Sequence, residues 1–214
     1  MEVLFISAFS IGLLHALAPD HWLPFVVLGK SQEWSRWKTT RIVSLAGLGH
    51  VGSSVVIVLI GLTIGTAMEQ VNGWEEVRGT AASVLMVLFG GIYTVWGIMR
   101  WRNHTHDHTY RHVHPHGLRK EEIVSYWTLF ALIVFGPCEP LIPLIFAAIP
   151  YGWIVISAVF ILFGTVTVLM MLLQVHLAML GLSWMKFHFL NDASHITAGV
   201  VIILTGLAIM IFGM

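Results

Sequence analysis

The chain is predicted to be an all-α, polytopic membrane protein with six transmembrane helices in a 3+3 inverted-repeat architecture. Composition is the first reason. The 214 residues are 57% hydrophobic and only 10% charged, with mean hydropathy +0.84, where soluble domains carry about 25% charged residues. Length is the second: six segments come close to, or exceed, the roughly 20 apolar residues needed to cross a hydrocarbon core. The third is an alternation of charge between successive connections. One transmembrane domain, 1–214, accounts for the whole.

In order, the expected spans are Val3–Leu28, Ile42–Ala67, Thr80–Met99, Ile123–Ile149, Trp153–Met185 and His195–Phe212. The first lacks a basic leader and a small-residue cleavage site. It is also longer than a signal core of roughly 7–15 residues, so it is read as a retained span. The fifth is long enough to tilt. Formal net charge is zero, which offers nothing to a nucleic-acid partner. Cys138, the only cysteine, excludes an intrachain disulfide and a dithiol relay.

Lys30, Arg36, Lys38 and Arg41 fall in the first connection. Arg100, Arg102, Arg111, Arg119 and Lys120 fall in the third, and Lys186 in the fifth. The second carries only Arg78, among Glu69, Glu75 and Glu76, and the fourth (150–152) is uncharged. Ten of the eleven basic residues therefore share one side, which the positive-inside rule makes cytoplasmic. The expected location is a plasma (cell) membrane with both termini outside. Trp34, Trp37, Trp74, Trp101, Trp127 and Trp184 lie near the expected interfaces, as an aromatic belt would.

Halves of three spans must sit inverted to each other. Ala18-Pro19-Asp20-His21 with Pro24 in the first span and Gly136-Pro137-Cys138-Glu139 with Pro140 and Pro143 in the fourth form a weak internal match. Proline-interrupted segments at matching positions point to a transport site near the midplane.

His15-Ala16-Leu17-Ala18-Pro19-Asp20-His21 is the chemical core of the first span. An ionisable group at such depth costs roughly 2.5–3.5 kcal/mol on insertion scales, so it marks a functional site. Two imidazoles and a carboxylate suit a divalent transition metal. On a regular helix His15 and His21 lie about 120° apart, and His15 and Asp20 about 140°. No straight helix aims all three at one ion. Pro19 removes a backbone donor and clashes one turn back, so a break there is expected to turn them inward. The alternative is ordinary hydrogen bonding to neighbouring helices.

His50 sits at similar depth in the second span. Its setting, Gly47-Leu48-Gly49-His50-Val51-Gly52, matches a nucleotide-binding glycine pattern only by accident, since no strand precedes it. Small residues there bring helices close and make His50 a candidate ligand. Glu139 and Cys138 in the fourth span and His176 in the fifth are candidates for the ion pathway or proton coupling. Cys138 reads more readily as a small buried hydrophobe. His195, after Asn191-Asp192, is explained equally by capping.

A histidine tract follows in the third connection, about 101–120. His104, His106, His108, His112, His114 and His116 fall within thirteen residues beside Asp107. Imidazoles with an unperturbed pKa near 6.5 are mostly neutral at cytoplasmic pH and ready to coordinate. This composition reads as cytoplasmic metal capture, against the alternative of a variable polar linker.

His15 to His21 fit H-x-x-x-x-D-H, and on that motif the chain resembles the nickel/cobalt transporter superfamily, in its NicO and urease-accessory-like branch. Its histidine loop resembles that of nickel/cobalt efflux members. Gly136-Pro137-Cys138 is similar to a patch in cytochrome-biogenesis thiol transporters, which use paired cysteines where this chain has one. The resemblance implies that His15, Asp20 and His21 bind the transported ion, with His50 as an added ligand. Permeases of the superfamily generally have eight spans, and this chain is expected to have six.

The expected function is transmembrane transport of a divalent transition-metal ion, nickel or cobalt first and zinc next, with no organic cofactor and no enzymatic step. The alternatives are a membrane metalloenzyme using the same ligands, an accessory protein for nickel-enzyme maturation, and a thiol redox transporter that a single cysteine disfavours. Beyond the ion and the bilayer, a second copy of the chain or a metallochaperone would be a natural partner.

Overall fold

Proline and glycine punctuate a chain whose regular elements, among the described residues, are all helical. The computed structural model describes residues 1–65, 68–104, 127–128, 130–131, 133–134, 136, 138–184 and 194–212. The helices are α1 (Glu2–Ala16), α2 (Pro19–Ser31), α3 (Arg36–Thr63), α4 (Met68–His104), α5 (Leu141–Ala148), α6 (Trp153–Trp184) and α7 (Ser194–Phe212), with a 3-10 turn at Ile149–Tyr151 between α5 and α6.

The first expected span is two helices bent by 42°. Proline disfavours helical backbone in the residue before it. Ala18 accordingly sits at φ −58°, ψ 131°, and Pro19 starts α2 at a position where no amide donor is needed. The last turn of α1 tightens through Leu17 N–H to Leu14 O and Ala18 N–H to His15 O, at 3.1 and 3.2 Å. The carbonyl of Ala16 accepts from Gln174 Nε2 of α6 at 2.9 Å. The break thus has a protein partner for a freed backbone group, as irregular backbone at membrane depth requires.

Among the described residues, three helices are long and apolar enough to cross a membrane: α3, α4 over Met68–Arg102, and α6 over Trp153–Gly181. The bent α1–α2 pair makes a fourth if it is one span. Leu141–Tyr151 and His195–Ile211 are apolar but shorter. The expected fourth span is therefore not one continuous helix. The described residues of 127–134 are helical, Gly136 and Cys138 are not, and α5 starts only after Pro140. The expected third span is longer than its hydropathy suggested. At 37 residues α4 runs about 55 Å and takes in Glu69, Glu75, Glu76 and Arg78, which the sequence had placed in a connection.

Apolar side chains cover the outside of the bundle. Ile154 is 85% exposed, and Ile92, Val95, Leu45, Leu173 and Leu204 also point outward. So much exposed hydrocarbon on long helices suits lipid as the surrounding solvent.

Two apolar clusters stack inside. Val43 and Ala46 of α3 meet Met171 and Val175 of α6 in one. Val51 and Val58 of α3 meet Val159 and Phe163 of α6 in the other. The two helices are antiparallel, and His50 falls at the seam, between Ala46 and Val51. Helices α4 and α7 pack with their backbones nearly touching. A Cβ on Gly90 would lie 2.8 Å from the carbonyl oxygen of Gly199, so only glycine fits.

Candidate metal centre

Three imidazoles from three helices converge at that seam. His15 ends α1, His21 lies in the first turn of α2 and His50 is midway along α3. Their Nε2 atoms form a triangle: His15–His21 3.0 Å, His21–His50 3.2 Å and His15–His50 3.4 Å. His21 and His50 are each only 3% exposed. The bend at Leu17–Ala18 makes this meeting geometrically accessible, because it rotates His21 relative to His15 as no straight helix could.

The far nitrogens are committed. Nδ1–H of His21 donates to Asp20 Oδ1 at 2.8 Å. Nδ1–H of His50 donates to the carbonyl of Ile133 at 2.9 Å. Both acceptors lack a proton to give, so the hydrogen-bond network assigns Nδ1–H to both rings. Their Nε2 atoms then carry bare lone pairs, aimed at each other. Histidines that hold metals have this arrangement, one nitrogen toward the ion and the other donating to a carboxylate or carbonyl.

Cys138, fully buried, brings Sγ to 3.5 Å from His15 Nε2. His15, His50 and Cys138 offer donor atoms all within 4.8 Å of one another. A small, partly open cavity reaches the triad and is lined in part by Asp20, His21, His50, Ser83, Met86 and Gly136.

Glycine brings α3 close enough. A Cβ on Gly49 would lie 2.5 Å from Val134 Cγ2, whereas one on Gly52 would meet nothing within 4 Å. Gly49 is thus the member of the glycine pattern that lets His50 reach Ile133.

The other expected site residues lie elsewhere. Asp20 belongs to the cluster through His21 Nδ1, and its oxygens are not among the converging donors. Glu139 is exposed, in the turn before α5. His176 of α6 faces Thr40 Oγ1 of α3 at 3.0 Å, away from the triad. His195 meets the Tyr93 hydroxyl at 2.9 Å. His104 closes α4, and His106, His108, His112, His114 and His116 lie outside the described residues.

An ion-pair network beside the site carries little signal in the sequence. Arg78 Nη2 reaches Glu75 Oε2 at 2.6 Å, Ser54 Oγ at 2.5 Å and the carbonyl of Gly136 at 2.8 Å. Its Nη1 donates to Ser53 Oγ at 3.2 Å, and that hydroxyl lies 2.7 Å from the carbonyl of Val134. Glu75 is fully buried. One guanidinium therefore ties α4 to α3 and to the irregular backbone around residue 136. The available signal was opposite charges three residues apart, which a continued helix places on one face.

Comparisons with protein-family models, with curated proteins and with solved structures found no match. The functional reading therefore rests on the geometry and on the sequence motif.

Proposed function

We propose that this chain carries a divalent transition-metal ion, nickel or cobalt, across a cell membrane, and that His15, His21 and His50 bind the ion in transit. The observation that carries the reading is the approach of the His21 and His50 Nε2 atoms to 3.2 Å while each ring turns its Nδ1 to an acceptor, which assigns both Nε2 atoms as bare lone pairs. Two such acceptors repel unless a metal ion or a proton sits between them. The triangle has a circumradius of about 1.9 Å, so an ion at the usual metal–imidazole distance of about 2.0–2.1 Å would sit roughly 0.9 Å off its plane. The match of His15 to His21 with the nickel/cobalt transporter motif supports the same cargo.

Six spans in two inverted halves remain the architecture that best fits transport. The second and fifth expected spans, α3 and α6, pack against each other, as do the third and sixth, α4 and α7. A two-fold axis in the membrane plane would pair them this way. The interrupted first and fourth spans meet at the centre, where Cys138 touches His15. All three imidazoles belong to the first half. The second half holds the His50 ring through the Ile133 carbonyl. Rocking of one half against the other would break that hydrogen bond, free the ring to turn and loosen the ion for release.

An enzymatic reading wants a general base beside an open coordination position. Glu139 was the candidate, and it is exposed in the turn before α5. Transport is accordingly preferred, with the histidine tract at the cytoplasmic mouth as a capture device.

The test is metal uptake into proteoliposomes with nickel, cobalt or zinc, with and without a pH gradient. His15→Ala, His21→Ala and His50→Ala should each abolish flux while the protein still inserts. Deleting residues 103–117 should change apparent affinity and leave some flux. Full flux in His21→Ala would overturn the reading.

A further inference from the structure

We propose that Cys138 is the fourth ligand, and that the resulting three-nitrogen, one-sulfur site takes cobalt(II) or zinc(II) in preference to nickel(II). The proposal rests on the metal reading above, keeps cobalt of the two ions named there and puts zinc in the place of nickel.

Donor spacing comes first. Nitrogens about 2.0–2.1 Å from a tetrahedral ion lie roughly 3.3–3.4 Å apart, and those on one face of an octahedron roughly 2.9 Å apart. Three corners of a square plane would need one separation of roughly 4.1 Å. The observed edges of 3.0, 3.2 and 3.4 Å do not fit the square plane, one of the arrangements that nickel(II) adopts with nitrogen ligands. They lie between the other two polyhedra, so the fourth donor decides.

That donor is the Cys138 thiol. With metal–sulfur and metal–nitrogen distances of about 2.3 and 2.05 Å, a tetrahedron places sulfur roughly 3.5 Å from each nitrogen. The sulfur lies 3.5 Å from His15 Nε2 and within 4.8 Å of the His50 donor, in a cluster that does not include His21, so the four-ligand site requires the thiol and the His21 ring to close on the ion. Octahedral nickel would need two ligands beyond the thiol, and these would have to be waters drawn from the cavity that reaches His21 and His50.

Charge agrees. A coordinating thiol gives up its proton. The S–H bond breaks, the metal–sulfur bond forms and the proton leaves to water. Thiolate and Asp20 carboxylate together match the two charges of a dication, with the imidazoles neutral. Because Cys138 comes from the second half and the imidazoles from the first, the four-ligand site exists only while the halves are together.

The experiment is cobalt(II) titration of the purified full chain in detergent, followed by absorption. Wild type should bind one cobalt with the intense visible bands of a tetrahedral site and a near-ultraviolet thiolate-to-cobalt charge-transfer band. Cys138→Ser should keep weakened visible bands and lose the charge-transfer band, with affinity at least about tenfold lower. Displacement of cobalt should need at least about tenfold more nickel(II) than zinc(II) in wild type, and the gap should narrow in Cys138→Ser. X-ray absorption of the wild-type cobalt complex keeps the test independent of any variant. One sulfur at about 2.3 Å is expected. Cobalt bound with no sulfur neighbour, or a charge-transfer band unchanged in Cys138→Ser, overturns this proposal and leaves the histidine reading intact. No cobalt bound by wild type, or wild-type binding in His21→Ala and His50→Ala, overturns both.

Discussion

His21 and His50, carried on separate helices, point unprotonated Nε2 atoms at each other across 3.2 Å because Asp20 and the Ile133 carbonyl hold the protons on their far sides. Either a metal ion or an added proton relieves this opposition, so the two must compete. Metal affinity should fall as pH falls, since ligating imidazoles have to be neutral. Lowering the pH should therefore weaken cobalt binding in proportion to the protons that the ligands release when the ion binds. Calorimetric titration at several pH values checks it. A flat profile would mean that no proton is released on binding, which is incompatible with ligation by the Cys138 thiol.

Asp20 acts through His21. Its carboxylate accepts from Nδ1 and thereby sets which nitrogen faces the centre. Asp20→Asn keeps the shape and an acceptor but removes the charge. Affinity should drop about 10–100-fold, in line with partners that orient metal-bound histidines. The cobalt ligand-field spectrum should survive, because no ligand is lost. A change in that spectrum with the donor set rearranged would instead make Asp20 a ligand.

Proline chemistry made the break before Pro19 legible, and with it the chance that His15 and His21 turn toward one point. The depth of His50 and the small residues beside it were equally plain. What lies beyond that depends on the fold. The sequence cannot say whether Asp20 faces an ion or a neighbouring ring, because both are one residue's rotation apart. The start of α4 was misplaced because hydropathy counts Glu75 and Arg78 as two costs. In the fold they offset each other on one helix face, and Arg78 also donates to the Gly136 carbonyl. The fourth segment read as one span because apolar content hides an interruption that Gly136 and Pro140 impose on the backbone.

Removing Arg78 would strand a fully buried carboxylate. Breaking one side of a buried ion pair typically costs about 3–5 kcal/mol, whereas replacing both partners costs far less. Arg78→Ala should therefore lower the melting temperature in detergent and reduce insertion. The double variant Glu75→Gln with Arg78→Met should recover most of the stability. Scanning fluorimetry on the purified proteins separates the cases. Equal loss in single and double variants would show that Arg78 serves chiefly through Ser53, Ser54 and the Gly136 carbonyl.

Gly49 sets the distance between α3 and the segment that orients His50. A methyl group there would lie 2.5 Å from Val134 Cγ2, and a real contact that short must be relieved by movement. Gly49→Ala should push α3 away from Ile133, lengthen the His50 Nδ1 hydrogen bond and weaken metal binding by roughly tenfold. Val134→Ala removes the opposing methyl groups, so it should restore affinity when combined with Gly49→Ala. Gly52→Ala, with open space beside it, controls for a general effect on the helix and should leave binding unchanged. Equal losses in Gly49→Ala and Gly52→Ala, or failure of the second-site rescue, would show that close approach at Gly49 does not position His50.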